Sequence, residues 1–317
     1  MRHLVSLKEQ SKEEITNIVE LGSKMKADHA GGKIIQPLLN RTLIMLFEKA
    51  STRTRLSFEA GMTELGGHAV FLDTRTTQIS IADFKDEIRA IMRMGHLLMF
   101  RAMKATSVEL AASFNIIPVI DGCSEKYHPC QALGDILTMS ESAGGLANIK
   151  KVVWLGIENN VSNTLMLACA KLGIDIFMVT PEKDAESVDE DLMSQAEKTG
   201  RVHRTLDLRE ALSGADFIHT DTWMNMEFFD RGKVKPEFEG EYKRRVNVFK
   251  PYQLNAELLT AHHSNAKIMH CMPCHVGYEI SRDAIDHKNS LIFDQAENRK
   301  HIEKAILLWL SHQETHN

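Results

Sequence analysis

The chain alternates short apolar runs with stretches whose apolar positions recur every three or four residues. Runs of strand length stand at Thr42-Leu43-Ile44-Met45-Leu46-Phe47, at 68–73, at Leu97–Phe100 and at Ile116–Ile120. Between them Leu56–Leu65, 83–94 and Val108–Phe114 carry the spacing that lines one helix face with apolar side chains. The first ~35 residues do the same through Ile15, Ile18, Val19 and Leu21. Pro118 predicts an edge strand or a strand end, because proline donates no ladder hydrogen bond. A helix over Gln131–Glu141 then meets Gly144-Gly145, the expected domain boundary. After it the pattern restarts, with strands at Lys151–Leu155, Ile174–Val179, 216–219 and 267–270 and helices at 162–172 and Asp189–Lys198. A last helix is expected over Ala296–Leu310, with Asn298-Arg299 at its opening and apolar positions at 302, 305, 306 and 309. This order predicts an α/β fold of two similar-sized domains, 1–143 and 144–299, each a mostly parallel sheet flanked by helices.

Composition narrows the classes that fit. A chain of 317 residues exceeds the usual single core, while 43% hydrophobic and 26% charged residues are ordinary for a globular protein. A formal charge of −5 argues against a general nucleic-acid binder, so local arginines read as a focused anion site. No run approaches the ~20 apolar residues of a membrane span, and Met1-Arg2-His3-Leu4 does not open a signal peptide. Five cysteines, an odd number, suggest reduced thiols, and the expected location is the cytoplasm. The sequence has no internal repeat and no Gly-x-Gly-x-x-Gly, which leaves a nucleotide cofactor unsupported.

Chemistry gathers at the predicted strand ends. Ser51-Thr-Arg-Thr-Arg55 sits between the strand 42–47 and a helix start. Such a loop offers guanidinium forks, hydroxyls and free helix N-terminal N–H groups to a phosphate. It reads equally as a Ser51 cap followed by solvated arginines. Because side chains two apart on a helix point nearly opposite ways, Arg53 is expected at the anion and Arg55 is expected to brace the loop from within. Arg101 follows the strand 97–100, and His128-Pro-Cys-Gln131 opens the connecting helix. Asp221-Thr-Trp-Met-Asn225-Met226 follows the strand 216–219, and His270-Cys-Met-Pro273 follows 267–269. His128 and Gln131 can hydrogen-bond a carbonyl, or simply flank a proline turn. Asp221 can hold a cationic amine or cap a strand end. Cys271-x-x-Cys274, flanked by His270 and His275, hints at zinc, but one such pair without a second is commonly inert buried cysteine.

Together these clusters resemble the ornithine carbamoyltransferases. Ser51-Thr-Arg-Thr-Arg55, His128-Pro-Cys-Gln131, Asp221-Thr-Trp-x-x-Met226, His270-Cys-Met-Pro273 and Asp294-Gln-Ala-Glu-Asn-Arg299 occur in that family's order and spacing. The resemblance runs from Phe47-Glu48-Lys49 to the last helix, and is nearest to the bacterial anabolic branch, down to Phe249-Lys-Pro-Tyr-Gln253. It implies that Ser51, Thr52, Arg53 and Thr54 bind the phosphate of carbamoyl phosphate. Arg101, His128 and Gln131 would hold the carbamoyl group, with Arg299 adding charge. Gln78 matches a position lent to a neighbouring subunit, implying a homotrimer or a multiple of one. Asn160, Asp221, Asn225, Met226 and Met272 match the amino-acid side, with Cys271 beside the substrate's amine. The resemblance further implies that 300–317 packs back on the N-terminal domain, that the product is citrulline for arginine biosynthesis, and that no metal or organic cofactor takes part. Arg101, His128, Cys271 and Arg299 would be the catalytic group.

Departures from the family pattern cluster on the acceptor side. Asn225 replaces a serine, and Gly156-Ile157-Glu158-Asn159-Asn160 replaces Gly-Asp-Gly-Asn-Asn. The segment Ile81–Arg89 lacks a Gly-Glu pair and is one residue shorter. Aspartate-specific relatives carry His-Pro-Leu-Pro where this chain has His270-Cys-Met-Pro273, and Lys85 is out of register with their loop lysine. Ornithine is therefore the expected acceptor. The alternatives are a modified ornithine, lysine or diamine, or a non-catalytic homologue that binds carbamoyl phosphate.

Overall fold

Each of the first four apolar runs is followed by a stretch that must return the chain before the next run can pair in parallel, and that stretch is usually a helix. The computed structural model describes residues 1–311 apart from 82, 225–227, 231, 232 and 263. Its first half contains α1 (Lys12–Ala30), β1 (Thr42–Phe47), α2 (Thr52–Glu64), β2 (His68–Asp73), α3 (Phe84–Met92), β3 (Leu97–Arg101), α4 (Ala105–Ser113), β4 (Val119–Asp121) and α5 (Pro129–Ala143). The strands form one parallel sheet in the order β2-β1-β3-β4. β4 starts just after Pro118 and lies at the edge, as the proline predicts. Leu4 covers that edge: its N–H donates to the Val119 carbonyl, and its carbonyl accepts the Asp121 N–H, both at 2.8 Å.

Pro129 stands in the first turn of α5, where its missing N–H costs nothing, and the helix ends at Gly144. Gly144 and Gly145 have φ of +71° and +132°, backbone that glycine adopts without a Cβ penalty. Beyond them come β5 (Lys151–Leu155), α6 (Asn160–Leu172), β6 (Asp175–Val179), α7 (Glu190–Glu197), β7 (Val202–Arg204), α8 (Leu208–Leu212) and β8 (Phe217–Thr220). The chain continues through β9 (Phe229–Asp230), β10 (Lys233–Val234), α9 (Glu239–Phe249), α10 (Ala256–Ala261), β11 (Lys267–His270), α11 (Arg282–Ile285) and α12 (Ile292–Ser311). The second parallel sheet has the order β11-β8-β5-β6-β7, and β9 pairs antiparallel with β10 apart from it.

The molecule thus has two α/β domains, and α12 returns from the second to pack on α1, α2 and α5 of the first. One buried apolar cluster runs from Leu43 and Met45 through Leu133 and Ile136 of α5 and Leu165 of α6 to Val152 and Trp154. Each large apolar side chain so buried contributes about 1.5–3 kcal/mol, which welds the domains at α5, α6 and α12. Among the described residues no helix is long and apolar enough to cross a membrane.

Two features differ from the expectation. The last helix begins at Ile292, so Asn298 and Arg299 lie about two turns into it and not at its opening. The run Asp294–Arg299 is polar, and its inward face is carried by buried Gln295, Asn298 and Arg299, which breaks the apolar periodicity. The sequence pattern does not show β7, β9, β10, α8, α10 and α11, which are too brief to print a period, or α9, which is largely polar.

Candidate active site

Register brings the chemistry together. Phe47 of β1 pairs with Arg101 of β3, so the loop at 51–55 opens beside Arg101. Thr220 of β8 pairs with both Leu155 and His270, so 156–160, Asp221 and Cys271 leave the second sheet at one level. Carboxyl ends of parallel strands are where such sheets form ligand crevices.

The first side of the crevice is cationic. Ser51 caps α2: its Oγ accepts the Thr54 N–H at 3.4 Å and lies 3.1 Å from Thr54 Oγ1. Arg101 donates through Nη1 to Thr54 Oγ1 at 3.4 Å and to the Gly122 carbonyl at 3.3 Å. Its Nε is buried with no hydrogen-bond partner among the described residues. Arg53 is half-buried, and burial together with the facing charges of Arg299 and Arg101 lowers its proton affinity, against the pull of Asp221. Among the described residues neither Arg53 nor Arg101 has a carboxylate at ion-pair distance. Thr52 is exposed at the helix start. Arg53 is thus half-buried and not a fully solvated arginine behind the cap.

Arg55 is a correction. It does not brace the loop from within. It is exposed, donates to Glu59 Oε1 at 2.9 Å, and lies 3.9 Å over the Phe71 ring. Two positions along the helix from Arg53, it turned to the outer face, and its pairing with Glu59 one turn on holds it there.

His128 is the N-cap residue of α5 and is buried, with its N–H donating to Thr164 Oγ1 at 3.0 Å. Burial, then the charges of Arg299, Arg101, Lys49 and Arg53, push its pKa well below the usual value, so the ring is neutral at pH 7. Its Nδ1 has no partner among the described residues. Gln131 lies in the first turn of α5, but both ends of its amide are engaged. Nε2 donates to Asp135 Oδ1 at 2.7 Å, and Oε1 accepts from Arg299 Nη1 at 2.6 Å. Arg299 is buried and paired with Glu303 at 2.6 Å, whose carboxyl burial pushes up to about 7 despite that partner.

The second side centres on Asp221. Its Oδ1 accepts from the Thr222 N–H at 2.7 Å and from the Cys271 thiol at 3.0 Å, and its Oδ2 accepts from Asn159 Nδ2 at 2.8 Å. Burial, then Asp221, raise the Cys271 pKa well above that of a free thiol, so Cys271 keeps its proton. Asn160 turns to the first domain, donating to the Ser124 carbonyl at 2.7 Å and lying 3.4 Å from Cys123 Sγ. Met272 is half-buried with φ of +55°. Gln78 is exposed in a short turn after β2. Asn225 and Met226 lie outside the described residues, as does Ala82 of the shortened loop.

The zinc hint takes a different form. Asp221, His270 and Cys271 have ligand atoms within 4.8 Å of one another. His270, however, accepts the Met272 N–H on Nδ1 at 2.8 Å and faces Glu279 Oε1 with Nε2 at 3.3 Å, while Cys271 is protonated. His275 is drawn to Thr222 Oγ1 at 2.9 Å and stacks on Phe229, away from that group. The set is a hydrogen-bonded cluster, and the Cys-x-x-Cys spacing does not gather round one point.

Sequence reasoning missed Asn159, Asp135, Gln295 and His219. Asn159 could have been found as the N-cap of α6, since it accepts the Val161 and Ser162 N–H groups. Asp135, four residues after Gln131, follows from helical spacing. Nothing local marks His219 or Gln295. The altered turn also resolves in part: Glu158 is buried and ion-paired with Arg204 at 2.6 Å, away from Asp221.

A cationic pocket for an anion, a neutral imidazole beside it and a thiol–carboxylate pair opposite define a group transferase acting on a small phosphorylated donor. Residues 2–141 match the family model for the aspartate/ornithine carbamoyltransferase carbamoyl-P binding domain, and residues 148–310 match its Asp/Orn binding domain. The chain belongs to the aspartate/ornithine carbamoyltransferase family and is an enzyme of that class. It is 40% identical over 311 residues to the ornithine carbamoyltransferase of Methanospirillum hungatei, covering 98% of this chain and 99% of that one. Against the anabolic ornithine carbamoyltransferase of Pseudomonas aeruginosa it is 39% identical over 308 residues, 97% of this chain and 96% of the other. The structure is similar to the Pyrococcus furiosus ornithine carbamoyltransferase, with a TM-score of 0.87, 36% identity, and coverage of 98% and 97% of the two chains.

Proposed function

We propose that this enzyme moves the carbamoyl group of carbamoyl phosphate to the side-chain amine of L-ornithine, giving L-citrulline and phosphate in an anabolic, cytoplasmic setting. The observation that carries the reading is the meeting of unpaired Arg53 and Arg101 with the Asp221–Cys271 pair across one crevice. Ser51, Thr52, Arg53 and Thr54 take the phosphate. The neutral amine attacks the carbamoyl carbon, and its lone pair forms the C–N bond. The carbonyl electrons move onto oxygen, where Arg101 and neutral His128 donate hydrogen bonds. Collapse breaks the C–O bond to phosphate, and the amine's surplus proton leaves with it. Gln131 and Arg299 support that pocket from beneath. Asp221 and Asn160, with Asn225, Met226 and Met272, hold the amino acid, and the Cys271 thiol stands beside the attacking nitrogen.

The assignment of 1–143, completed by the returning helix 300–317, to the donor and 144–299 to the acceptor is part of the same reading. So is a homotrimer in which exposed Gln78 reaches a neighbour's site. An amine panel with carbamoyl phosphate tests it, with phosphate release measured at steady state. The expected result is a kcat/KM for ornithine at least about tenfold above lysine, putrescine and N-substituted ornithines, a selectivity of the size one unpaired polar contact provides. Turnover of ornithine no better than that of an analogue would move the acceptor assignment to that analogue.

A further inference from the structure

Between the two sides of the crevice runs a line of polar side chains buried in otherwise apolar surroundings. Asp135 and His219 are fully buried, and Gln295 and His270 are each 1% exposed. Gln295 is the junction. Its Nε2 donates to Asp135 Oδ1 at 2.7 Å and lies 2.9 Å from His219 Nε2. Its Oε1 accepts the His270 N–H at 2.9 Å. Asp135 Oδ1 also accepts from Gln131, whose Oε1 accepts from Arg299. His219 Nδ1 faces the Thr220 carbonyl at 3.0 Å, and a carbonyl only accepts, so Nδ1 carries the proton. The His219 ring stacks on Trp154 at 4.8 Å, and its Nε2 lies 3.2 Å from Asp135 Oδ2.

This pattern fixes the orientation of the Gln295 amide. Flipping it would set N–H against the His270 N–H and carbonyl oxygen against the Asp135 carboxylate, stranding buried polar groups on both sides. The residue after His270 is Cys271, so the amide sets where β11 ends and the thiol begins. On the other side Asp135 sets Gln131, and through it the Arg299 guanidinium.

We propose that Gln295 is a positioning residue that holds the His270–Cys271 segment of the acceptor side in register with Gln131 and Arg299 of the donor side. The proposal rests on the carbamoyl-transfer reading given above. Gln295→Met keeps the length of the side chain and removes its hydrogen bonds. Gln295→Glu keeps an acceptor for the His270 N–H but sets a carboxylate against Asp135. In Gln295→Met the acceptor KM is expected to rise about tenfold with a lower kcat, while the carbamoyl phosphate KM stays within about twofold. Alkylation of Cys271 by iodoacetamide, followed by peptide mapping, is expected to quicken about fivefold as its bond to Asp221 loosens. In Gln295→Glu the acceptor KM defect, taken as a ratio to the unmodified enzyme at the same pH, should shrink as the pH falls and protonation restores a donor toward Asp135.

An unchanged acceptor KM and unchanged Cys271 labelling in folded Gln295→Met overturn the proposal, as does an equal rise in both KM values. If Gln295→Met does not fold, Gln295→Glu decides, and a defect ratio that ignores pH overturns it. If the unmodified enzyme transfers to no amine, the functional reading falls, and the Cys271 labelling ratio still decides the positioning role.

Discussion

On the donor side, Arg53 and Arg101 have no carboxylate at ion-pair distance among the described residues, and Arg101 Nε and His128 Nδ1 have no hydrogen-bond partner. On the acceptor side, Asp221 already accepts from Asn159, Thr222 and Cys271. Unpartnered buried donors and uncompensated like charges are costly, so the donor side is held ready and an anion relieves it. Asp221 is already satisfied, and an incoming amine must displace or share bonds that exist there. One side gains whole interactions on binding; the other exchanges them. On the proposed reading Arg101 meets charge that develops only in the transition state, so its substitution should act on the chemical step, while substitution of Asp221 should act on acceptor affinity.

The largest effect expected is for Arg101→Met, which on the proposed reading removes a donor to the developing oxyanion. Its kcat should fall on the order of 10²–10³-fold in a steady-state assay. A loss confined to the KM for carbamoyl phosphate would make Arg101 a ground-state anchor and break the contrast. Next comes Asp221→Asn, for which the acceptor KM should rise roughly ten- to a hundredfold, the range for a hydrogen bond to a charged group, with carbamoyl phosphate KM within about twofold. Equal loss for both substrates would deny the division of labour.

A third test concerns pH. Asp121 is fully buried, and burial raises its pKa from 3.8 to about 7, against the opposing bonds from Ser124 and Cys123. The folded state thus binds this proton more tightly than the unfolded chain does. Its contribution to stability is full below the unfolded value and is lost as the pH rises through about 7. Asp121→Asn keeps an acceptor for the Cys123 N–H and removes the titration. The change in Tm on substitution, variant minus unmodified, should be about 2–4 °C more positive at pH 8 than at pH 5. A difference independent of pH would show that Asp121 does not change its protonation in the folded state across this range.

The smallest effect expected is for Arg55→Ala. Exposed on the Phe71 ring and paired with Glu59, Arg55 should leave kcat/KM within about twofold, because surface pairs and stacks of this kind contribute little. A tenfold loss would restore it to the anion loop.

The donor side was the more legible in the sequence for the same physical reason. Ser51, Arg53, Arg101 and His128 each sit at a strand end or helix start that apolar runs announce, and local rules say what such ends bind. Pro118 likewise foretold an edge strand, and Gly144-Gly145 the end of α5. The acceptor side is assembled from β5, β8, β11 and α12, and no local rule says that Gln295 faces His219 across 76 positions. Asn159, which caps α6 and bonds Asp221, was legible from capping chemistry alone. The polar inward face of α12 hid that helix's start, and Arg55 failed because pairing one turn along the helix decided its direction.

The most direct test of transfer between the two sides uses carbamoyl phosphate labelled with carbon-13 at its carbonyl, incubated with ornithine and the enzyme. The account predicts label in the ureido carbon of citrulline, with one phosphate released for each citrulline formed and Arg101→Met reducing both together. Phosphate release without labelled citrulline, at a rate indifferent to ornithine, would contradict it.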